Sequence, residues 1–162
     1  MSVGDRMAIV EAGALRQIAP PQTIYDNPNS RYVASLVGSP TINLAPARVE
    51  AGGLRLANID WRAPVALQGA ETGADIDVGF RPETVRVVAH DASEGFDSEI
   101  VSVEPLGAST ILVTKSGGLT IKAQVKGQTA MAPGERIRLA PRLDRLLCFR
   151  SSNGERMAIS AR

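Results

Sequence analysis

From residue 39 onward the chain never sustains a helical period. It breaks instead into short runs in which apolar and polar residues alternate. The runs cover 42–44, 47–50, 54–57, 65–67, 76–80, 85–88, 97–103, 109–114, 120–125, 136–139 and 146–149. Glycine and proline separate them, at Gly52-Gly53, Gly69, Gly73, Gly95, Gly117-Gly118, Gly127, Pro133-Gly134 and Asn153-Gly154. Alternation with a period of two sends every second side chain to one face of a strand. Many short strands with a turn signal after each predict a small β-barrel or sandwich rather than βαβ units. Aromatic residues make up only 4% of the chain, so the core must be built from Val, Ile, Leu and Ala. The β-branched members of that set suit a pleated surface.

The first quarter reads differently. Residues 6–10 form a short apolar strand, 11–13 a turn, and 14–18 a returning strand, together a hairpin. Pro20 and Pro21 stop the pairing, since proline brings no N–H to a ladder, and either can open a helix. That helix spans 22–27 with Ile24 and Tyr25 facing inward, and Pro28 ends it. Asn29 or Ser30 is placed to cap a second helix over 31–37, with Tyr32, Val33, Leu36 and Val37 on its apolar face. Gly38 fits the left-handed position that closes a helix, and Pro40 follows it. The boundary between the two textures falls near Ser39, giving a first unit over 1–38 and a β unit over 39–162.

Several chemistries find little support. A net charge of +1 is too weak a field to argue for a phosphate-rich partner. Nucleic-acid binding on a β-barrel needs a basic groove with stacking aromatics, and this chain has one Trp, two Tyr and three Phe. Cys148 is the single cysteine, so an intramolecular disulfide is impossible; in the run Leu146-Leu147-Cys148-Phe149 it reads as a small buried hydrophobe. No run approaches the ~20 apolar residues that span a bilayer. Asp5, Arg6 and Glu11 interrupt any signal-peptide pattern. No phosphate loop of the Gly-x-x-x-x-Gly-Lys-Ser/Thr type occurs. His90, the single histidine, sits beside Asp91 in a polar loop and reads as a surface residue. Glu71, Asp75 and Asp77 lack the spacing of a calcium loop. Arg136, Arg138, Arg142, Arg145, Arg150 and Arg156 crowd the C-terminal part, either as a face for an anionic partner or as the outward residues of alternating strands. The residues supply no catalytic set and no metal set.

Several short motifs in one order carry a resemblance. The stretch from Gly4-Asp5-Arg6-Met7-Ala8-Ile9-Val10 to Gly13 and Gln17 comes first, then Pro21-x-x-Ile24-Tyr25-x-x-Pro28 and Tyr32-Val33-Ala34-x-x-Val37-Gly38-Ser39-Pro40-x-Ile42-Asn43. Gly79-Phe80-Arg81-Pro82-Glu83 and Val103-Glu104-Pro105-Leu106-Gly107 follow, and Pro133-Gly134-Glu135, Cys148-Phe149 and Asn153-Gly154 complete the series. The series, from about Val3 to Met157, resembles the C-terminal part of the ATP-binding subunits of sugar-type (maltose-importer-like) ABC transporters. The departures are Ala19, where glycine is usual, and Thr84, where histidine often follows Arg-Pro-Glu.

The resemblance implies a mainly β fold: an OB-type barrel of the transport-associated (TOBE) kind, preceded by a short hairpin and two short helices. It implies that 1–38 is the end of an ATPase domain whose phosphate loop, signature motif, metal-binding carboxylates and switch histidine are not in this chain. The chain alone is then no enzyme and holds no cofactor, ATP and magnesium belonging to the parent. The implied role is regulation and dimerisation of an importer ATPase for carbohydrate or glycerol-phosphate uptake. The implied partners are a second copy, a regulatory protein and, through the parent, membrane permeases; the place is the cytoplasmic side of the inner membrane. The hairpin, without the parent's sheet, either packs on the barrel, swaps with a second copy or is disordered.

Among the motif residues, Gly79 and Pro82 bracket a strand exit, and Arg81 can pin carbonyls or a carboxylate with its planar fork. Glu83 is its expected local partner, and Gly107 is expected to allow a tight turn. Glu104 and Leu106 belong to the same motif set. Related barrels hold oxyanions, and here Ser109 and Thr110 are the candidates for that alternative, a small-ligand module.

Overall fold

The computed structural model describes residues 4–160, so the expected limits at residues 1 and 162 and the start of the resemblance at Val3 lie outside the described residues. Strands β1 (Met7–Glu11) and β2 (Ala14–Ala19) pair with each other as an antiparallel hairpin with a bulge at Ile9/Val10. Helix α1 (Pro21–Asp26) starts directly behind Pro20, and α2 (Arg31–Leu36) is capped by the Ser30 hydroxyl, which accepts from the Val33 N–H. Ile9, Ile24, Val33 and Val37 close a small core between hairpin and helices. The hairpin therefore packs on the helices, and its other face leaves Val10, Leu15 and Ile18 exposed. One expected detail is corrected: α2 stops at Leu36, and Leu36 is 52% exposed. The inward side chains are Val33, Ala34 and Val37, and at 3.6 residues per turn Leu36 lies about 100° off their mean direction.

The rest is β. In chain order the strands are β3 (Asn43–Glu50), β4 (Gly53–Leu56), β5 (Arg62–Ala63), β6 (Ala66–Leu67), β7 (Asp75–Phe80), β8 (Val85–Val88), β9 (Phe96–Pro105), β10 (Ser109–Ser116), β11 (Leu119–Lys126), β12 (Arg136–Pro141), β13 (Leu147–Arg150), β14 (Arg156–Met157) and β15 (Ile159–Ser160). Five of them form the sheet β11-β10-β9-β12-β8, and six form β14-β13-β7-β3-β4-β5. The two edge strands of the five-stranded sheet, β11 and β8, return into contact with each other, which curls that sheet into a barrel. Both sheets feed one core, in which Phe80, Phe96, Ile100, Leu112 and Ile121 are buried. The few aromatics are central: Trp61 meets Phe96 edge-on, ring centroids 5.9 Å apart.

The expected break at residues 45–46 does not occur. β3 runs through Pro46, whose carbonyl accepts from Ala57 just past the last β3–β4 pair, Ala47 with Leu56. The missing N–H thus faces a side on which β4 has already ended, and no ladder bond is lost. Asn43 ties the two sheets: its side-chain amide donates to the Lys122 carbonyl and accepts from the Lys122 N–H, both at 2.8 Å.

Candidate functional site

The exit of β7 meets the helical unit, and here the motif residues 79–83 converge. Gly79 has no room for a side chain: a Cβ would lie 2.9 Å from Ile42 Cδ1 and 3.2 Å from Phe149 Cε2. Pro82 opens a 3-10 turn, Pro82–Thr84, that reverses the chain. The Thr84 hydroxyl holds this turn by donating to the Arg81 carbonyl at 2.7 Å.

The turn aims Arg81 back at the helices. Its side chain is buried, with the residue 4% exposed. Nη1 donates to the Val37 carbonyl and Nη2 to the Tyr25 carbonyl, each at 2.7 Å. The guanidinium carbon stacks 3.6 Å from the Tyr25 ring centroid. One cation thus ties the last turn of α1 and the end of α2 to the barrel. Gly38 makes the approach possible: it sits at φ +111°, and a Cβ there would be 2.9 Å from Arg81 Nη1 and 3.0 Å from Tyr25 Cε2.

Glu83 has a different partner from the one expected. It accepts a hydrogen bond from the Tyr25 hydroxyl rather than bonding Arg81. Burial first, and the Glu83 bond second, hold the Tyr25 pKa well above the usual phenol range. Burial also lowers the Arg81 pKa, against which Tyr25 and Glu83 act. Tyr25, Arg81 and Glu83 therefore form one clamp, closed by a cation, a ring and a carboxylate. Beside it opens a cleft of about 300 Å³, also lined by Asp26, Arg145 and Arg156.

The second motif lies on another hairpin and does not join this site. Glu104 is exposed and accepts from the Ser102 hydroxyl at 3.3 Å. Leu106 is 59% exposed. Gly107 takes φ +79° in the turn between β9 and β10. The Ser109 hydroxyl accepts from Gln124 at 3.0 Å. Thr110 is buried and its hydroxyl donates to the Gly127 carbonyl at 2.7 Å.

Other groups take quiet positions. Cys148 is buried, and that burial pushes its thiol up to about 12. Among the described residues no group of three or more His, Cys, Asp or Glu is arranged to hold a metal, and no helix is long and apolar enough to cross a membrane. Sequence reasoning placed Tyr25 and Gly38 in motifs but missed their meeting with Arg81, since a contact across 56 residues leaves no periodic trace. It also missed the cross-sheet role of Asn43.

An Arg-Pro-Glu turn clamps the helix ends onto a small barrel. Residues 78–149, which hold both motifs, match the TOBE domain family. This chain carries a TOBE domain. Its similarity to known proteins extends well beyond that domain. It is 30% identical over 161 residues to an uncharacterised ABC transporter ATP-binding protein of Sinorhizobium fredii, covering 98% of this chain and 42% of that protein. It is 30% identical over 158 residues to the sn-glycerol-3-phosphate import ATP-binding protein of Cereibacter sphaeroides, covering 97% of this chain and 44% of that one. It is 35% identical over 149 residues to the sulfoquinovosyl glycerol transport ATP-binding protein of Agrobacterium fabrum, covering 86% and 40%. The chain thus spans less than half the length of these relatives.

Proposed function

We propose that this chain is the regulatory and dimerising part of the ATP-binding subunit of a bacterial ABC importer, for carbohydrate or glycerol-phosphate uptake. ATP hydrolysis belongs to the remainder of such a subunit, and this part performs no chemistry of its own. The observation that carries the reading is the clamp. Arg81 and Glu83 on the TOBE domain grip Tyr25 and the carbonyl of Val37, so the helices and their hairpin follow the barrel. A barrel that pairs with its copy then keeps two ATPase domains at high effective concentration while they open and close. A regulatory protein that binds the barrel in one arrangement favours the open or closed state by its differential affinity. Membrane permeases are partners of the whole subunit, which places it at the cytoplasmic face of the inner membrane.

The pairing surface we favour runs from β9 into the turn after it, where Val101 and Leu106 are 48% and 59% exposed. Sedimentation velocity of the chain with Val101→Glu and Leu106→Glu together tests it. The wild type is expected to associate with rising concentration and the double variant to stay monomeric, with unchanged circular dichroism. Equal association by both proteins would rule out this surface.

A further inference from the structure

Asn153-Gly154 is a motif pair that the clamp does not use. An Asn-Gly step is among the most reactive toward deamidation, because glycine has no side chain to screen its nitrogen from the asparagine carboxamide. In that reaction the Gly154 nitrogen bonds to Asn153 Cγ, closing a five-membered imide, and the bond from Cγ to Nδ2 breaks. Ammonia leaves with the proton of the Gly154 amide. Water then opens the imide at either carbonyl and gives aspartate or isoaspartate.

The fold ties down both reacting groups. Asn153 is exposed, so water and base reach it. Its Oδ1 accepts from the Glu155 N–H at 3.0 Å, and the Gly154 N–H donates to the Arg150 carbonyl at 2.8 Å. Attack requires the Gly154 nitrogen to lose its proton and the carboxamide to swing onto it, so both bonds must open first. Contacts from outside the turn hold it in this shape. The Gly154 carbonyl accepts from the Arg31 N–H at 2.8 Å, and the Asn29 carbonyl accepts from the Arg156 N–H at 3.0 Å. Ser30 and Glu155 lie between them as a β-bridge. Arg31 is the first residue of α2, and its N–H has no acceptor within the helix. The turn between β13 and β14 therefore fastens α2 to the barrel through residues other than those of the Arg81 clamp.

We propose that Asn153 is a deamidation site held in check by this fastening, and that its conversion to isoaspartate undoes the fastening. Isoaspartate routes the main chain through the former side chain and lengthens it by a methylene. The Gly154 carbonyl then cannot keep its place against Arg31 while Arg150 and Arg156 stay in their strands. Aspartate, by contrast, keeps both the main chain and the side-chain acceptor. Docking and reaction are thus coupled. A helical unit that lets go frees Asn153 to react, and the reaction keeps the unit from docking again. The coupling goes beyond the regulatory reading and does not depend on whether the chain pairs.

Peptide mapping by mass spectrometry, with isoaspartyl methyltransferase to count isoaspartate, follows Asn153 in the full chain at mildly alkaline pH. The native chain should react roughly tenfold or more slowly than the chain unfolded in guanidinium, since only the opened fraction reacts. Arg31→Pro removes the donating N–H at a helix position that favours proline, whereas Arg31→Ala removes only the side chain and its bond to Asp77. Arg31→Pro should react severalfold faster than Arg31→Ala. Equal rates in the native and unfolded chains, or in the two variants, would overturn the proposal. Hydrogen exchange reads the effect on α2 through the Ala34 amide, which donates to the Ser30 carbonyl. That amide should exchange severalfold faster in the purified isoaspartyl form than in Asn153→Asp, which carries the same charge on an unaltered main chain. Equal exchange in those two proteins would refute the coupling. If Arg31→Pro fails to fold, the native-against-unfolded rates and the exchange comparison decide, and either can refute the proposal.

Discussion

Arg81 concentrates more of the junction than any other residue, since it supplies two charge-assisted hydrogen bonds and a ring contact from a buried position. Truncation would leave the Tyr25 and Val37 carbonyls without their donor. Arg81→Ala should therefore cost about 3 kcal/mol in urea unfolding, and Arg81→Lys, which keeps the charge but not the fork, about 2 kcal/mol. Two titrating groups give a pH signature. Cys148 is raised to about 12 and Tyr25 is raised further, so both protons are held more firmly in the folded chain. Their contributions are complete below the unfolded values, near ~8.5 for a thiol and ~10 for a phenol, and are lost as pH rises. Between those two values Cys148 acts first. Unfolding free energy should fall over that window in the wild type, and the slope should flatten in Cys148→Ala. Tyr25→Phe should remove the further decline above it. A slope that both substitutions leave unchanged would contradict these assignments.

Asn43 shows at the level of strands how the two sheets become one body. Its side chain mimics a strand neighbour for Lys122 on β11, donating and accepting at once. Asn43→Ala should cost about 2 kcal/mol, and Asn43→Asp at least as much, because a carboxylate can accept from the Lys122 N–H but repels its carbonyl. Urea denaturation of the three proteins checks this; a harmless Asn43→Asp would deny the paired bond. The strands themselves were legible in the sequence, since alternation and Gly/Pro punctuation are local signals. β7, β8 and β9 through β12 fall within a few residues of the expected runs. The runs 42–44 and 47–50 join through Pro46 because a missing N–H matters only where a neighbour strand stands, which is a tertiary fact. The same limit hid the clamp. Tyr25 and Arg81 were each visible as motif letters, but the ring over the guanidinium depends on how the 3-10 turn at Pro82 redirects the chain. The exposed face of the hairpin was legible as apolar pattern. Its occupant in a longer protein is a matter for the proposed parent subunit.

Over the whole molecule, the helical unit has a small core of its own, Ile9, Ile24, Val33 and Val37, distinct from the large core of the barrel. A third cluster, in which Ala34 of α2 meets Ile42, Leu147 and Phe149, bridges them. A unit with so little buried surface gains most of its stability from what it is fastened to. The regulatory reading requires that fastening: a barrel that could shed its helices could not pass a signal through them. Native-state hydrogen exchange in dilute denaturant measures it directly, through the Ile24, Asn27 and Ala34 amides in the helices and those of β10 and β11 in the barrel. The helix amides are expected to open with the barrel in the wild type, and in a separate, lower-energy step in Arg81→Ala. Helix amides that already open independently in the wild type would contradict the claim that the clamp makes the two parts move as one.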